Sequence, residues 1–157
     1  MKIALACDHA GYPLKAHLAA WLAERGFEVV DLGVETAAVP ADYPDVAARV
    51  ADAVLTGAAE RAVLLCGSGI GASIAANKFR GIYAAVCHDV YSAHQGVEHD
   101  RMNVLCLGAR VIGTAVAEEL TAAFVKAQPS TEARHARRFE KLLAIEAATA
   151  GDDPAAG

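Results

Sequence analysis

The sequence predicts an α/β fold, a three-layer α/β/α sandwich with helices on both faces of a five-stranded parallel sheet. Three observations predict it. Short, almost wholly apolar runs recur along the chain, each run is followed by a polar or glycine-bearing turn, and the segments between them carry apolar residues at helical spacing. Strands buried on both faces need continuous apolar sequence, and parallel neighbours need helical crossovers between them. The arrangement is Rossmann-like. Of 157 residues, 55% are apolar and 21% charged, which suffices for one packed domain, expected over residues 1–150, with 151–157 as a disordered tail.

Lys2 to Cys7 reads as the first strand, and Asp8-His9-Ala10-Gly11 as the turn after it. Pro13 suits the first turn of a helix, Leu14, Leu18, Trp21 and Leu22 mark its buried face, and Gly26 ends it. Phe27 to Leu32 is the second strand, followed by a loop containing Pro40 and Tyr43-Pro44. Val46, Val50, Ala53 and Val54 mark a second helix closed by Gly57. Ala62 to Leu65 is the third strand, and a glycine loop opens a third helix that meets no breaker up to Lys78. Gly81 to Cys87 reads as the fourth strand, Val90 to Val97 as a helix, and Met102 to Leu107 as the fifth strand. Helices over Ala115–Lys126 and Thr131–Ala148 complete the pattern.

A formal charge of −5 disfavours a general nucleic-acid binder. No apolar run approaches the roughly 18 residues of a membrane span. Only five apolar or small residues separate Met1-Lys2 from Asp8, which does not read as an export signal, and the expected location is the cytoplasm. Cys7, Cys66, Cys87 and Cys106 contain no CxxC pair and read as free thiols.

In parallel sheets ligands bind beyond the carboxyl ends of the strands. That rule selects Asp8-His9, Cys66 to Gly71, His88-Asp89 and Arg110. The stretch Cys66-Gly67-Ser68-Gly69-Ile70-Gly71 joins a buried strand to a helix, so its backbone N–H groups and the positive helix end favour an anion. A thiol at the lip of such a turn has reason to ionise. No arginine closes the loop as a phosphatase-type cysteine would want. A proton-abstracting thiolate beside an oxyanion-stabilising loop fits better, with Ser68 passing a proton between neighbouring oxygens. The competing reading is a nucleotide-phosphate loop after a buried cysteine. Gly67-x-Gly69-x-x-Ala72 satisfies the relaxed dinucleotide fingerprint, with Asp89 about 20 residues on. Against it, the motif follows the third strand rather than the first.

His99 falls between the fourth helix and the fifth strand, at the opposite end of the sheet from Cys66. A helix of about eight residues spans about 12 Å, so a catalytic His99 should serve a neighbouring subunit. The alternative is an ordinary exposed histidine. Arg134 and Arg138 share a helix face and could hold a phosphate dianion, or form a solvated face.

Together these stretches resemble the ribose-5-phosphate isomerase B family, which includes galactose 6-phosphate and allose 6-phosphate isomerases. The resemblance runs from Lys2 to Ala148 and rests on Ala6 to Gly11, Asp42-Tyr43-Pro44, Cys66 to Gly71 with Ile74 to Lys78, Tyr91-Ser92-Ala93, His99 with Asn103 to Leu105, Leu107 to Gly113, and Arg134 to Arg138. It implies a metal-free and cofactor-free aldose–ketose isomerase, placed in the pentose phosphate pathway and working through a cis-enediolate. It also implies a homodimer with shared sites, or a tetramer of such dimers, whose C-terminal helix reaches the partner. By matched position, Cys66 would move the proton between C2 and C1, aided by Ser68, and His99 would open the furanose ring with Asp8. Gly67, Gly69, Ile70 and Gly71 would hold the enediolate and Tyr43 would line the sugar site, while His9, Arg110, Arg134 and Arg138 would hold the phosphate. Where many members carry Asn after the catalytic His, this chain has Asp100, which cannot donate a hydrogen bond when ionised. Ribose 5-phosphate is the expected substrate. A four- or six-carbon sugar phosphate, or a non-catalytic nucleotide- or sugar-phosphate-binding module, are the alternatives.

Overall fold

Lys2–Cys7 forms β1, and it sits near the middle of the sheet because its apolar run continues on both faces. A computed structural model describes residues 1–149 of the chain, so the expected tail lies outside the described residues. The elements follow as α1 (Tyr12–Glu24), β2 (Glu28–Asp31), α2 (Tyr43–Leu55), β3 (Arg61–Cys66), α3 (Ile70–Ala76), β4 (Ala84–Val86), α4 (Val90–Asp100), β5 (Val104–Gly108), α5 (Thr114–Lys126) and α6 (Ala133–Thr149). The sheet order is β2-β1-β3-β5-β4, and every pairing is parallel.

The pleat sorts the core into two layers. Ile3, Leu5 and Cys7 face α1, α4 and α5, packing with Leu18, Leu22, Val97, Leu120 and Phe124. Ala4, Ala6, Leu64 and Cys66 face α2 and α3, packing with Val46, Val50, Ala72 and Ala76. Helix α6 joins neither layer. It lies on α4, and His135 is its one buried residue among those described. The chain leaves β1 outward to β2, then crosses back to β3. β1 and β3 are therefore neighbours whose connections diverge, which opens a crevice beyond their carboxyl ends.

Several boundaries differ from expectation. β4 keeps only Ala84–Val86: ahead of it the Tyr83 carbonyl still accepts from the Asn103 and Val104 N–H groups, but side chains bond the Tyr83 N–H and the Gly81 carbonyl. Asn103 accepts from the Tyr83 N–H and donates to the Gly81 carbonyl, both at 2.8 Å, while Asn77 brackets Ala84 in the same way. α3 stops at Ala76. Tyr43 and Pro44 belong to the first turn of α2 rather than to the loop, because Pro at the second position is already fixed for a helix. α4 continues to Asp100 and ends at Arg101, whose φ of 56° is left-handed. His99 therefore stands on the last turn of a helix and not in a connecting loop.

Candidate active site

Parallel register brings three strand ends level. Cys7 pairs with Leu65, and Cys66 with Gly108. Beyond them the segment after β5 lies along the loop after β3, with the Ala109 N–H donating to the Cys66 carbonyl at 2.9 Å and the Arg110 N–H to the Gly67 carbonyl at 3.0 Å. Gly108 is needed for this approach, since a Cβ there would lie 2.6 Å from the Ser68 carbonyl oxygen. The contact sets Arg110 beside Gly67, its guanidinium within 3.6 Å of where a Cβ would stand.

Gly69 turns the loop into α3 with φ of 81°, a conformation that favours glycine, and a Cβ on it would also crowd the Leu107–Gly108 backbone at 3.1–3.2 Å. Turned this way, the Gly69 N–H donates to Cys66 Sγ at 3.1 Å. The Ile70 N–H donates to Ser68 Oγ at 3.3 Å. The other three thiols do not line the cleft at this end of the sheet. Burial pushes Cys7 and Cys87 up to about 11 and drives Cys106 higher still, so they stay protonated packing groups.

Cys66 opens onto a cleft of about 340 Å³, lined also by Asp8, Tyr43, Gly67, Ser68, Gly71, Arg110 and Val111. Asp8 is buried, and its Oδ1 accepts from the Ala10 and Gly11 N–H groups at 2.9 and 3.0 Å. That turn fixes the carboxylate at the end of β1. Tyr43 reaches the cleft from α2 and lies against Gly71, where a Cβ would stand 2.8 Å from the ring. Three residues predicted for this end of the sheet stand outside the lining. Gly69 is buried in the turn behind Cys66. His9 points at the loop before α2, its Nδ1 3.2 Å from the Ala41 nitrogen, and Ile70 is exposed.

His99, Asp100, Arg134 and Arg138 gather elsewhere. α4 runs back from the carboxyl end of β4 to the amino end of β5, and its 11 residues span roughly 16 Å. At its far end the His99 ring stacks on His135 of α6, with centroids 3.8 Å apart and planes 17° from parallel. His135 is buried, and desolvation, then His99, then Arg134 hold it below the usual histidine range. Arg134 pairs with Glu132 at 2.7 Å, and Arg138 is exposed. Asp100 turns toward Gln95 rather than Arg101, whose guanidinium lies 4.9 Å over the Phe139 ring. One chain thus holds two separate groups of predicted residues.

Gln95 and His135 carried no role in the sequence reading, although Gln95 is one helical turn before His99, a spacing that places two side chains side by side. The dinucleotide reading loses its acidic residue. Asp89 caps α4, accepting from the Ser92 N–H and Ser92 hydroxyl, each at 2.8 Å, and those bonds hold its carboxyl below the usual range.

Comparison with known proteins agrees with this fold. The Ribose/Galactose Isomerase family model matches residues 3–142. The chain is 46% identical over 145 residues to ribose-5-phosphate isomerase B of Escherichia coli, covering 92% of this chain and 96% of that protein. It is 41% identical over 128 residues to D-erythrulose-4-phosphate isomerase of Pectobacterium atrosepticum, covering 82% of this chain and 84% of that one. Ribose-5-phosphate isomerase B of Clostridium thermocellum superposes with a TM-score of 0.90 at 43% identity, over 94% of this chain and 99% of its own. Type B ribose 5-phosphate isomerase of Trypanosoma cruzi gives a TM-score of 0.89 at 42% identity, over 94% and 99%. The chain belongs to the ribose/galactose isomerase family, with Cys66 in the glycine loop.

Proposed function

We propose that the protein interconverts D-ribose 5-phosphate and D-ribulose 5-phosphate, in the cytoplasm and as a homodimer. The observation that carries this reading is Cys66, a thiol that opens onto the cleft with a backbone N–H on its sulfur and Asp8, Ser68 and Arg110 around it. Ring opening comes first. Asp8 takes the proton of the C1 hydroxyl, the bond between C1 and the ring oxygen breaks, and His99 of a second copy donates a hydrogen bond to that oxygen. The proton that Asp8 took from the C1 hydroxyl is passed to the former ring oxygen, and the C1–H bond stays intact. The Cys66 thiolate then takes the proton from C2, and the negative charge moves to O1, where loop N–H groups stabilise the cis-enediolate. Ser68 passes the O2 proton to O1, and the Cys66 thiol returns its proton to C1, leaving a carbonyl at C2. Arg110, with Arg134 and Arg138 of the second copy, suits the phosphate dianion. Two copies are required on this reading because α4 carries His99 away from its own Cys66.

Relatives named for tetrose phosphates make the sugar the point to test. Initial rates on ribose 5-phosphate, erythrulose 4-phosphate, allose 6-phosphate and galactose 6-phosphate should give the highest kcat/KM for ribose 5-phosphate. A tenfold preference for another sugar would move the assignment to that one. Absence of isomerisation on all four, with tight binding of a nucleotide, would favour the non-catalytic module.

A further inference from the structure

His99 is fixed by two neighbours that act on different features of the ring. His135 stacks on it and sets its plane. Gln95 reaches its edge, with Nε2 2.8 Å from His99 Nδ1. The same Gln95 nitrogen lies 3.3 Å from Asp100 Oδ2. A primary amide presents an oxygen at one end and a nitrogen at the other, and diffraction-scale geometry rarely separates them. Here chemistry does. An ionised carboxylate accepts and cannot donate, so the amide end facing Asp100 must be the NH2 group. That group then donates to His99 Nδ1 as well. The nitrogen it donates to must be bare, so the ring hydrogen of neutral His99 sits on Nε2.

We infer that Gln95 and Asp100 are positioning residues that hold His99 in the Nε2–H tautomer, so that the ring presents a hydrogen-bond donor to the substrate oxygen. This rests on the reading of His99 as the ring-opening group. It also gives a role to the departure at position 100. An asparagine can offer either end of its amide to Gln95 and would leave Gln95 free to turn over, whereas aspartate fixes it. The carboxylate is directed to the neighbouring amide and acts on the sugar through the tautomer of His99. An imidazole that donates while neutral is a recognised way to polarise a substrate oxygen without committing a proton to it. The nitrogen that carries the hydrogen is set by the bond made at the other nitrogen.

Histidine-selective 15N labelling of the dimer reports both ring nitrogens, with the His99 signals assigned by their loss in His99→Asn. The wild-type protein should show bare Nδ1 and protonated Nε2. Gln95→Leu, which keeps the bulk on a half-buried helix face, should give a mixture of tautomers, and so should Asp100→Ala. Unchanged tautomers in Gln95→Leu would overturn the inference, and unchanged tautomers in Asp100→Ala alone would remove Asp100 from it. Kinetics supply the second readout. Ribulose 5-phosphate cannot close a furanose ring because its C5 hydroxyl carries the phosphate, so exchange of its C1 hydrogen with solvent deuterium needs Cys66 and no ring opening. Gln95→Leu should lower kcat on ribose 5-phosphate by about tenfold, a fraction of what a general acid–base group supplies, and leave the exchange rate within about twofold. Equal losses in both assays would mean a general structural effect and overturn the positioning role. Wild-type turnover in His99→Asn would instead sink the ring-opening reading, while the tautomer measurement would still decide whether Gln95 and Asp100 set the ring.

Discussion

The cleft beyond β1, β3 and β5 and the junction of α4 with α6 hold the two groups of candidate residues, yet they are built by different means. Backbone makes the cleft. Level strand ends, the left-handed turn at Gly69 and the close pass of Gly108 by Ser68 set Cys66, Asp8 and Arg110 with little freedom. Side chains make the junction. A ring stack, an amide bridge and one ion pair hold His99, Asp100 and Arg134 on two helices. The difference suits the division of labour proposed above, in which Cys66 as the proton-abstracting group tolerates little displacement and His99, delivered to another copy, has to be oriented without a strand end beneath it.

The sharpest break of that comparison is at the thiol. Cys66→Ala should cost on the order of 10³-fold in kcat, as expected for loss of a proton-transfer group, with an unchanged circular dichroism spectrum. Turnover near wild type would take the base away from Cys66.

Joining the halves across copies is the next test. When Cys66→Ala and His99→Asn proteins are mixed equally and reassembled, half of the dimers are hybrids, and each hybrid has one complete site of two. Recovered activity should approach about a quarter of wild type. No recovery with hybrids demonstrated by mass spectrometry would place both residues in one chain's site.

The backbone half should resist even one methyl group. Gly108→Ala drives a Cβ against the Ser68 carbonyl at 2.6 Å, and overpacking of this kind costs roughly 1–3 kcal/mol, read as a lower urea midpoint. Gly71→Ala meets the Tyr43 ring first, and that ring can swing away. It should raise KM about threefold with kcat nearly kept, and Tyr43→Ala should abolish that effect, because coupled neighbours do not add.

The smallest effect belongs to the side-chain half. His135 is held below its ordinary value in the folded chain, so its contribution to stability is complete above the unfolded value of about 6.5 and is lost as the pH falls below it. Protection of the α6 amides, after correction for the intrinsic pH dependence of exchange, should fall between pH 7 and pH 5.5. His135→Phe, which keeps a stacking ring and cannot titrate, should flatten that response. An equally steep response in the variant would locate the acid sensitivity elsewhere.

Much of the cleft was legible because its determinants are local in sequence. An apolar run ending in Cys66 and followed by alternate glycines is a strand, a turn and a helix start wherever it occurs. Asp8 and Arg110 followed from the rule that ligands sit at strand ends. The junction was less legible. The length of α4 was short by three residues, because a helix end set by the left-handed Arg101 has no glycine to announce it. Asp100 read as the loss of a hydrogen-bond donor beside His99, since nothing in the sequence says that it faces Gln95. The edge strand β4 was drawn too long, because Asn103 and Asn77 take over bonds that apolar residues led one to assign to a neighbouring strand.

By itself, then, the sequence determined the alternating sheet and helix plan, the loop that carries Cys66 and the end of the sheet on which it opens. Those properties follow from hydrophobic period and from backbone conformations that a few adjacent residues impose. Tertiary structure decided which strands became neighbours, that Tyr43 lies on Gly71, that His135 stacks on His99, and which way the Gln95 amide faces. Those depend on side chains brought together from distant positions, or turned toward one another across a helix, and their energies come from contacts that exist only once the chain has packed.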